Sequence, residues 1–153
     1  MSYHPFADLI GLRIDEYAHG ESRGSITLQE KHLNPNGVVH GAVVYALADV
    51  GMGRALQAVL GREAICATVE IKINYFKSAR TGELTCNSTL VHRGRTLANL
   101  DSVVYCDGVL IAKANGTFAI IQPRPSQVTP GSFSDAASPQ PAPARSTGRS
   151  PAG

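Results

Sequence analysis

One carboxylate, Asp49, stands in the apolar run HGAVVYALADVGM, residues 40–52, with Asn34 and His32 just upstream. Burying an ionised carboxylate without a partner is expensive. Arg54, five residues on, would lie about 140° around a helix from it, whereas a spacing of three or four would bring the two together. Asp49 is therefore expected to face a cleft or a subunit interface; a polar residue bonded to loop backbone is the structural alternative. Gly41 falls in the first turn of the same helix, where exposed amide N–H groups can hold an anion or a developing oxyanion. Having no side chain, it lets a substrate carbonyl come close, although it could equally serve only to let helix and sheet touch. Eight residues along one helix is about 12 Å, so one carbonyl cannot meet both Gly41 and Asp49 of the same chain. Two copies packed antiparallel about a twofold axis can bring Asp49 of one beside Gly41 of the other. Asn34 could orient a water or a carbonyl with its amide, or close an Asx-type turn. His40 could stack on or hydrogen-bond a substrate, or act as a structural donor at the helix entry. His32 and His40, without a nearby cysteine or carboxylate, make no convincing metal site. GMGRAL, residues 51–56, lacks the preceding strand and third glycine of a dinucleotide fingerprint.

These groups need a frame, and the rest of the pattern predicts an α+β domain. HPFADLIG, residues 4–11, reads as a short helix with proline in its first turn. Alternation over 12–18 and 22–29 around His19-Gly20-Glu21 predicts two strands and a turn, and KHLNPNGVV, residues 31–39, a loop. The long helix is expected over 41–60, with Gly61 at its C-cap and an apolar stripe of Val43, Ala46, Leu47 and Val50. Its remaining surface is small, and Gly51 and Gly53 each cost about 1 kcal/mol of helix propensity, so a sheet enclosing the helix must supply the stability. Four strands follow, over 65–76, 84–92, 97–106 and 109–121, separated by turn signals that include the hairpin pair Asp107-Gly108. Two strands, one helix and four strands let a curved, mostly antiparallel sheet wrap one buried helix.

The 153 residues suit one domain. Of 14 basic and 12 acidic residues, Arg124, Arg145, Arg149 and Asp135 lie beyond position 123, leaving 11 of each before it. That balance argues against a nucleic-acid surface. Three cysteines without a CxxC fit reduced thiols better than disulfides or zinc. The first residues show no basic-then-apolar leader, and no run approaches the roughly 18 apolar residues of a membrane span, so a soluble cytoplasmic protein with no membrane partner is expected. Residues 1–122 are expected to hold the function. Residues 123–153, rich in Pro, Ser and Ala, read as a disordered tail.

The spacing H-x-N-x-x-G-x-x-H-G-A-x-x-x-x-L-x-D over residues 32–49 resembles the signature of the hotdog-fold acyl-CoA thioesterases of the PaaI type. ICATVEIKINYFKSA, residues 65–79, HRGRTLA, residues 92–98, and the element order share the resemblance. It implies a hotdog fold, with a long central helix wrapped by a curved antiparallel sheet, and homodimers commonly paired into homotetramers. It casts Asp49 as general base or nucleophile, Gly41 as backbone oxyanion donor, Asn34 as the polar loop residue that positions thioester or water, and His40 as the histidine preceding that glycine. Thr68 falls where some relatives carry a hydroxyl beside the attacking water, and Gly53 departs from relatives with a hydroxyl one turn after the acid. The implied substrate is an acyl- or aryl-CoA thioester, with no separate cofactor. Lys77, Arg80, Arg93 and Arg95 fall in inter-strand turns where they could meet CoA phosphates, Arg95 foremost, or be ordinary solvated charges. Tyr45, Met52 and Phe76 could line the acyl pocket or simply pack the core, and only the likeness to PaaI favours arylacetyl groups. A hotdog hydratase or dehydratase would want a histidine paired with an acid. A non-catalytic acyl-CoA-binding protein would want an effector segment.

Overall fold

The structure, a computed structural model, describes residues 4–61 and 63–122; the expected tail over 123–153 lies outside them. A short helix α1 (Pro5–Leu9) leads into β1 (Leu12–Ala18) and β2 (Glu21–Thr27). The long helix α2 (Gly41–Gln57) precedes β3 (Ile65–Tyr75), β4 (Glu83–Arg93), β5 (Leu97–Cys106) and β6 (Val109–Ile121). The expected loop before α2 contains one turn of 3-10 helix, Glu30–His32. All strand pairs are antiparallel, in the order β1-β2-β4-β5-β6-β3, so β1 and β3 are the sheet edges. The result is the hotdog architecture, one six-stranded sheet curled around α2.

Local chemistry accounts for the connections. His19 and Gly20, between β1 and β2, have φ of 51° and 83°, and Asp107 and Gly108, between β5 and β6, have 46° and 79°. Two successive left-handed residues make the turn whose twist matches paired strands. The helix ends earlier than its proline-free run suggests. Ala58, not Gly61, is the C-cap, and the tighter bonds Val59 N to Leu56 O and Leu60 N to Gln57 O close the last turn. The buried face keeps Ala46 and Leu47 of the expected stripe but is otherwise rotated from it: Val44, Ala48, Gly51, Met52, Ala55 and Leu56 are buried, while Val43 and Val50 are only partly covered.

Packing explains that rotation. Ser22 Oγ donates to the Gly51 carbonyl at 2.7 Å, and a Cβ at position 51 would lie 2.6 Å from Ser88 Oγ. Beneath that glycine, Ser88, Ser102 and Cys86 form a buried chain, with Ser88 to Ser102 at 2.9 Å and Ser102 to Cys86 at 2.8 Å. Helix and sheet thus meet through hydroxyls and a bare Cα rather than through bulky side chains. Elsewhere the interior is apolar, with Ile26, Leu47, Met52, Leu84, Leu100 and Phe118 fully or almost fully buried.

The two helical glycines should therefore respond oppositely to alanine. Gly51→Ala is expected to destabilise by about 2 kcal/mol, because the added methyl strikes the hydroxyl chain. A Cβ at Gly53 meets nothing nearer than 3.9 Å. Gly53→Ala should therefore recover about 1 kcal/mol of helix propensity. Urea unfolding of both variants checks the signs.

Candidate active site

β3 runs antiparallel beside α2, and three contacts fix their register. The Tyr75 hydroxyl donates to the Gly41 carbonyl at 3.0 Å, the Thr68 hydroxyl donates to Asp49 Oδ1 at 2.7 Å, and Cys66 Sγ donates to the Gly53 carbonyl at 3.6 Å. Position 69 is an extra residue in β3, since Thr68 pairs with Phe118 and Glu70 already pairs with Thr117. Such a bulge shifts the inward-facing side chains by one residue. It lets Cys66 and Thr68 face the helix on one side of it and Ile71, Ile73 and Tyr75 on the other.

Asp49 is half-buried along this edge, and among the described residues no lysine or arginine forms an ion pair with it. Arg54 instead stands over the Tyr17 ring, 5.9 Å from its centroid. The Thr68 hydroxyl holds Oδ1 and leaves the rest of the carboxylate available to water or substrate. Next door, burial pushes the Cys66 thiol above the usual range and the Asp49 charge adds to the shift, so this sulfur stays protonated at neutral pH.

At the helix start, His40 is the N-cap and its Nδ1 accepts from Ala42 N at 3.0 Å. The ring is thus a structural acceptor there, not the expected donor, and its neutral proton sits on Nε2. Val43 N donates to the His40 carbonyl at 2.9 Å. Among the described residues, the Gly41 N–H has no partner. It borders a cavity of about 350 Å³ lined by Val39, Val44, Tyr75, Phe76 and Lys77.

Asn34 closes an Asx turn, its Oδ1 accepting from Asn36 N at 2.9 Å and Val38 N at 3.4 Å. That role occupies the carbonyl of the amide and leaves its NH₂ free to donate. His32 is buried: its Nδ1 accepts from Gln29 N at 3.0 Å, and its carbonyl accepts from His40 N at 2.8 Å. Burial holds its pKa below the usual histidine range. The ring braces the loop leading into α2, and no metal-ligating cluster occurs among the described residues.

The four candidate CoA cations separate into two pairs. Lys77 borders the Gly41 cavity, and Arg80 donates to the Gly37 carbonyl at 3.1 Å, both near the start of α2. Arg93 donates to the Val59 carbonyl at 2.7 Å, beyond the other end, with Arg95 in the same turn. A helix of 17 residues spans about 25 Å, so one chain cannot bring all four to one ligand. Of the candidate pocket residues, Met52 is fully buried and packs against Gly116, so it belongs to the core rather than to an open cavity. Phe76 does border the Gly41 cavity, and Tyr45 is half-buried on α2. Tyr75 is absent from the residues that spacing singles out, because its partner Gly41 lies 34 positions away.

The model of the thioesterase superfamily matches residues 36–112, from the Asx loop into β6. SSO1253 of Saccharolobus solfataricus, to which esterase activity is ascribed, is 30% identical over 115 residues, 74% of this chain and 75% of that protein. The chain belongs to the thioesterase superfamily. This thioesterase is also similar to the conserved protein PA5202 of Pseudomonas aeruginosa, 30% identical with a TM-score of 0.76 over 78% of this chain and 95% of that one. A variant of the phenylacetic acid degradation protein PaaI from Thermus thermophilus is 25% identical, with a TM-score of 0.70 over 76% of this chain and 98% of that one. Membership makes the chain a thioester hydrolase, and proteins of phenylacetic acid degradation are among its structural neighbours.

Thr68→Val keeps the β-branched shape suited to the strand and removes only the hydroxyl that holds Asp49. Turnover is expected to fall by about tenfold with little change in melting temperature, less than the roughly 10² to 10⁴ that loss of a general base itself would cost. Steady-state kinetics together with a thermal melt check it.

Proposed function

We propose that this thioesterase hydrolyses acyl- or aryl-CoA thioesters in a homodimer whose two sites each combine Asp49 of one protomer with the Gly41 N–H of the partner subunit. The observation that carries this reading is the pair of unmatched groups on one edge. Among the described residues, Asp49 has a hydroxyl and no cation, and Gly41, about 12 Å nearer the start of the same helix, has an N–H with no acceptor. A twofold axis passing near Tyr45 exchanges the two positions, since residue 45 is midway between 41 and 49. The same operation sets Thr68 near Tyr75 of the partner subunit, because those residues flank Asp49 and Gly41 within each chain. The two β3 edges then run antiparallel alongside each other. This covers an edge strand whose Ile65, Val69 and Tyr75 are otherwise half or more exposed.

In the reaction, the thioester oxygen lies against the Gly41 N–H while Asp49, as general base, takes a proton from water as that water attacks the acyl carbon. The tetrahedral intermediate then expels CoA as a thiolate, a good leaving group that needs little acid help. Asp49 as nucleophile is the other route, giving an enzyme anhydride that water opens. Asn34 has a free NH₂ to position carbonyl or water, and His40 offers Nε2–H beside the same helix start. No cofactor is needed. Antiparallel helices carry Arg93 and Arg95 of the partner subunit toward the end where Lys77 and Arg80 lie, so cations that one chain separates converge on the CoA phosphates. Pairing of two dimers into a homotetramer, a cytoplasmic location and preference for arylacetyl groups complete the reading, the last supported by likeness to PaaI. No helix among the described residues is long and apolar enough to cross a membrane.

Incubating the protein with a panel of acyl-CoAs and titrating released thiol tests the activity, and an absence of free CoA with every member would refute it. Asp49→Asn should lower turnover by about 10² to 10⁴ while leaving the dimer intact by sedimentation. Activity within tenfold of the unsubstituted enzyme would remove Asp49 from the mechanism. Arg95→Ala should raise KM with kcat nearly unchanged, as loss of ground-state binding requires.

A further inference from the structure

We propose that Tyr75 is a positioning residue for the Gly41 N–H, and that its ring is the reason position 41 is glycine. The inference rests on the reading of Gly41 as the oxyanion donor. Gly41 does not have a left-handed backbone, since its φ is not among the positive values in this chain. Conformation therefore does not demand glycine there. Space favours it: a Cβ at position 41 would lie 3.3 Å from Cζ and from the hydroxyl oxygen of Tyr75, and 3.6 Å from Cε1, so the ring would have to give by a few tenths of an ångström and strain its bond to the carbonyl. The ring lies flush against the bare Cα, closer than a side chain would comfortably allow.

The same residue ties down the next peptide, the one that joins Gly41 to Ala42 on the far side of the glycine Cα. Its hydroxyl donates to the Gly41 carbonyl at 3.0 Å. Glycine has the widest backbone freedom of any residue, and the first turn of a helix has no preceding turn to hold it. The peptide that carries the Gly41 N–H is held on one side, where the His40 carbonyl accepts from Val43 N at 2.9 Å, and Tyr75 holds the glycine Cα and the next peptide on the other, so the two together limit how far the N–H can turn. The Tyr75 brace is itself anchored, because residue 75 pairs with Ala112 of β6 and Phe76 N donates to the Ile111 carbonyl at 2.8 Å. Burial raises the Tyr75 pKa, with Tyr45 adding to the shift, so the hydroxyl stays protonated and able to donate throughout the neutral range. An oxyanion donor works through being aimed before the reaction rather than during it. Tyr75 supplies that aim from the edge strand, and it forms one wall of the cavity that Gly41 borders.

Two measurements test this, one through turnover and one independent of it. In the thiol-release assay, Tyr75→Phe, which keeps the ring and loses the tie, is expected to lower kcat by about tenfold with KM changed less than about twofold. This is a fraction of what removing a whole oxyanion donor does. By ¹⁵N relaxation, the Gly41 amide should become more mobile on the picosecond to nanosecond scale in Tyr75→Phe, while Gly53 stays unchanged. Wild-type kcat together with an unaltered Gly41 amide would overturn the proposal. If the unsubstituted protein releases no thiol from any acyl-CoA, the hydrolytic reading fails by itself, and the Gly41 relaxation then decides whether Tyr75 positions that amide.

The steric half of the claim has its own cycle. Gly41→Ala should lower the melting temperature by several degrees in the wild-type background and by much less in Tyr75→Ala, where the ring is gone. Equal losses in both backgrounds would show that the ring is not what excludes a side chain.

Discussion

The closeness of α2 to the sheet at Gly51 is the constraint on which the rest depends. A bare Cα there rests against Ser88, and Ser22 grips the carbonyl of the same residue. Both contacts are short and directional, so they fix the rotation of the helix about its axis as well as its depth. Apolar contacts alone would leave that rotation loose, because Val43, Val44, Ala46, Leu47 and Val50 offer similar hydrophobic surface on neighbouring faces. With rotation fixed, Asp49 points at the edge strand and escapes the desolvation that the core would impose on it.

β3 completes what the helix begins. As an edge strand it leaves one side of its backbone unpaired, and its bulge at position 69 changes which residues look inward partway along. Thr68 before the bulge meets the acid, and Tyr75 beyond it meets the helix start. Without the extra residue, strict alternation would send one of these two side chains to the outer face of the sheet. The bulge is thus what lets one strand serve two positions of one helix.

At the head of α2 the donors are divided rather than left open. His40 takes the Ala42 N–H with its ring nitrogen and the Val43 N–H with its carbonyl. What remains is the Gly41 N–H, beside a cavity with apolar walls. An unspent donor separated by two turns of helix from the acid is an arrangement that one chain cannot use on one carbonyl. In the dimer proposed above, twofold symmetry would turn that separation into complementarity by bringing the acid of each chain to the donor of the other.

The strand boundaries and the start of the helix are legible in the sequence to within two residues, because Gly, Pro and Asp-Gly turn chemistry and period-two alternation are local properties. Asp49 and Gly41 are also legible, as an acid and a bare backbone in the wrong surroundings for a core helix. The buried face of α2 is not, for it is chosen by hydroxyls on β2 and β4 and not by its own hydrophobic pattern. Nor are the N-cap role of His40, the splitting of four cations between two ends of the helix, or Tyr75. Each depends on a partner brought in from a distant part of the chain. Residue types and short-range spacing set the elements and the reactive groups; distances between groups tens of residues apart exist only once the sheet has closed around the helix.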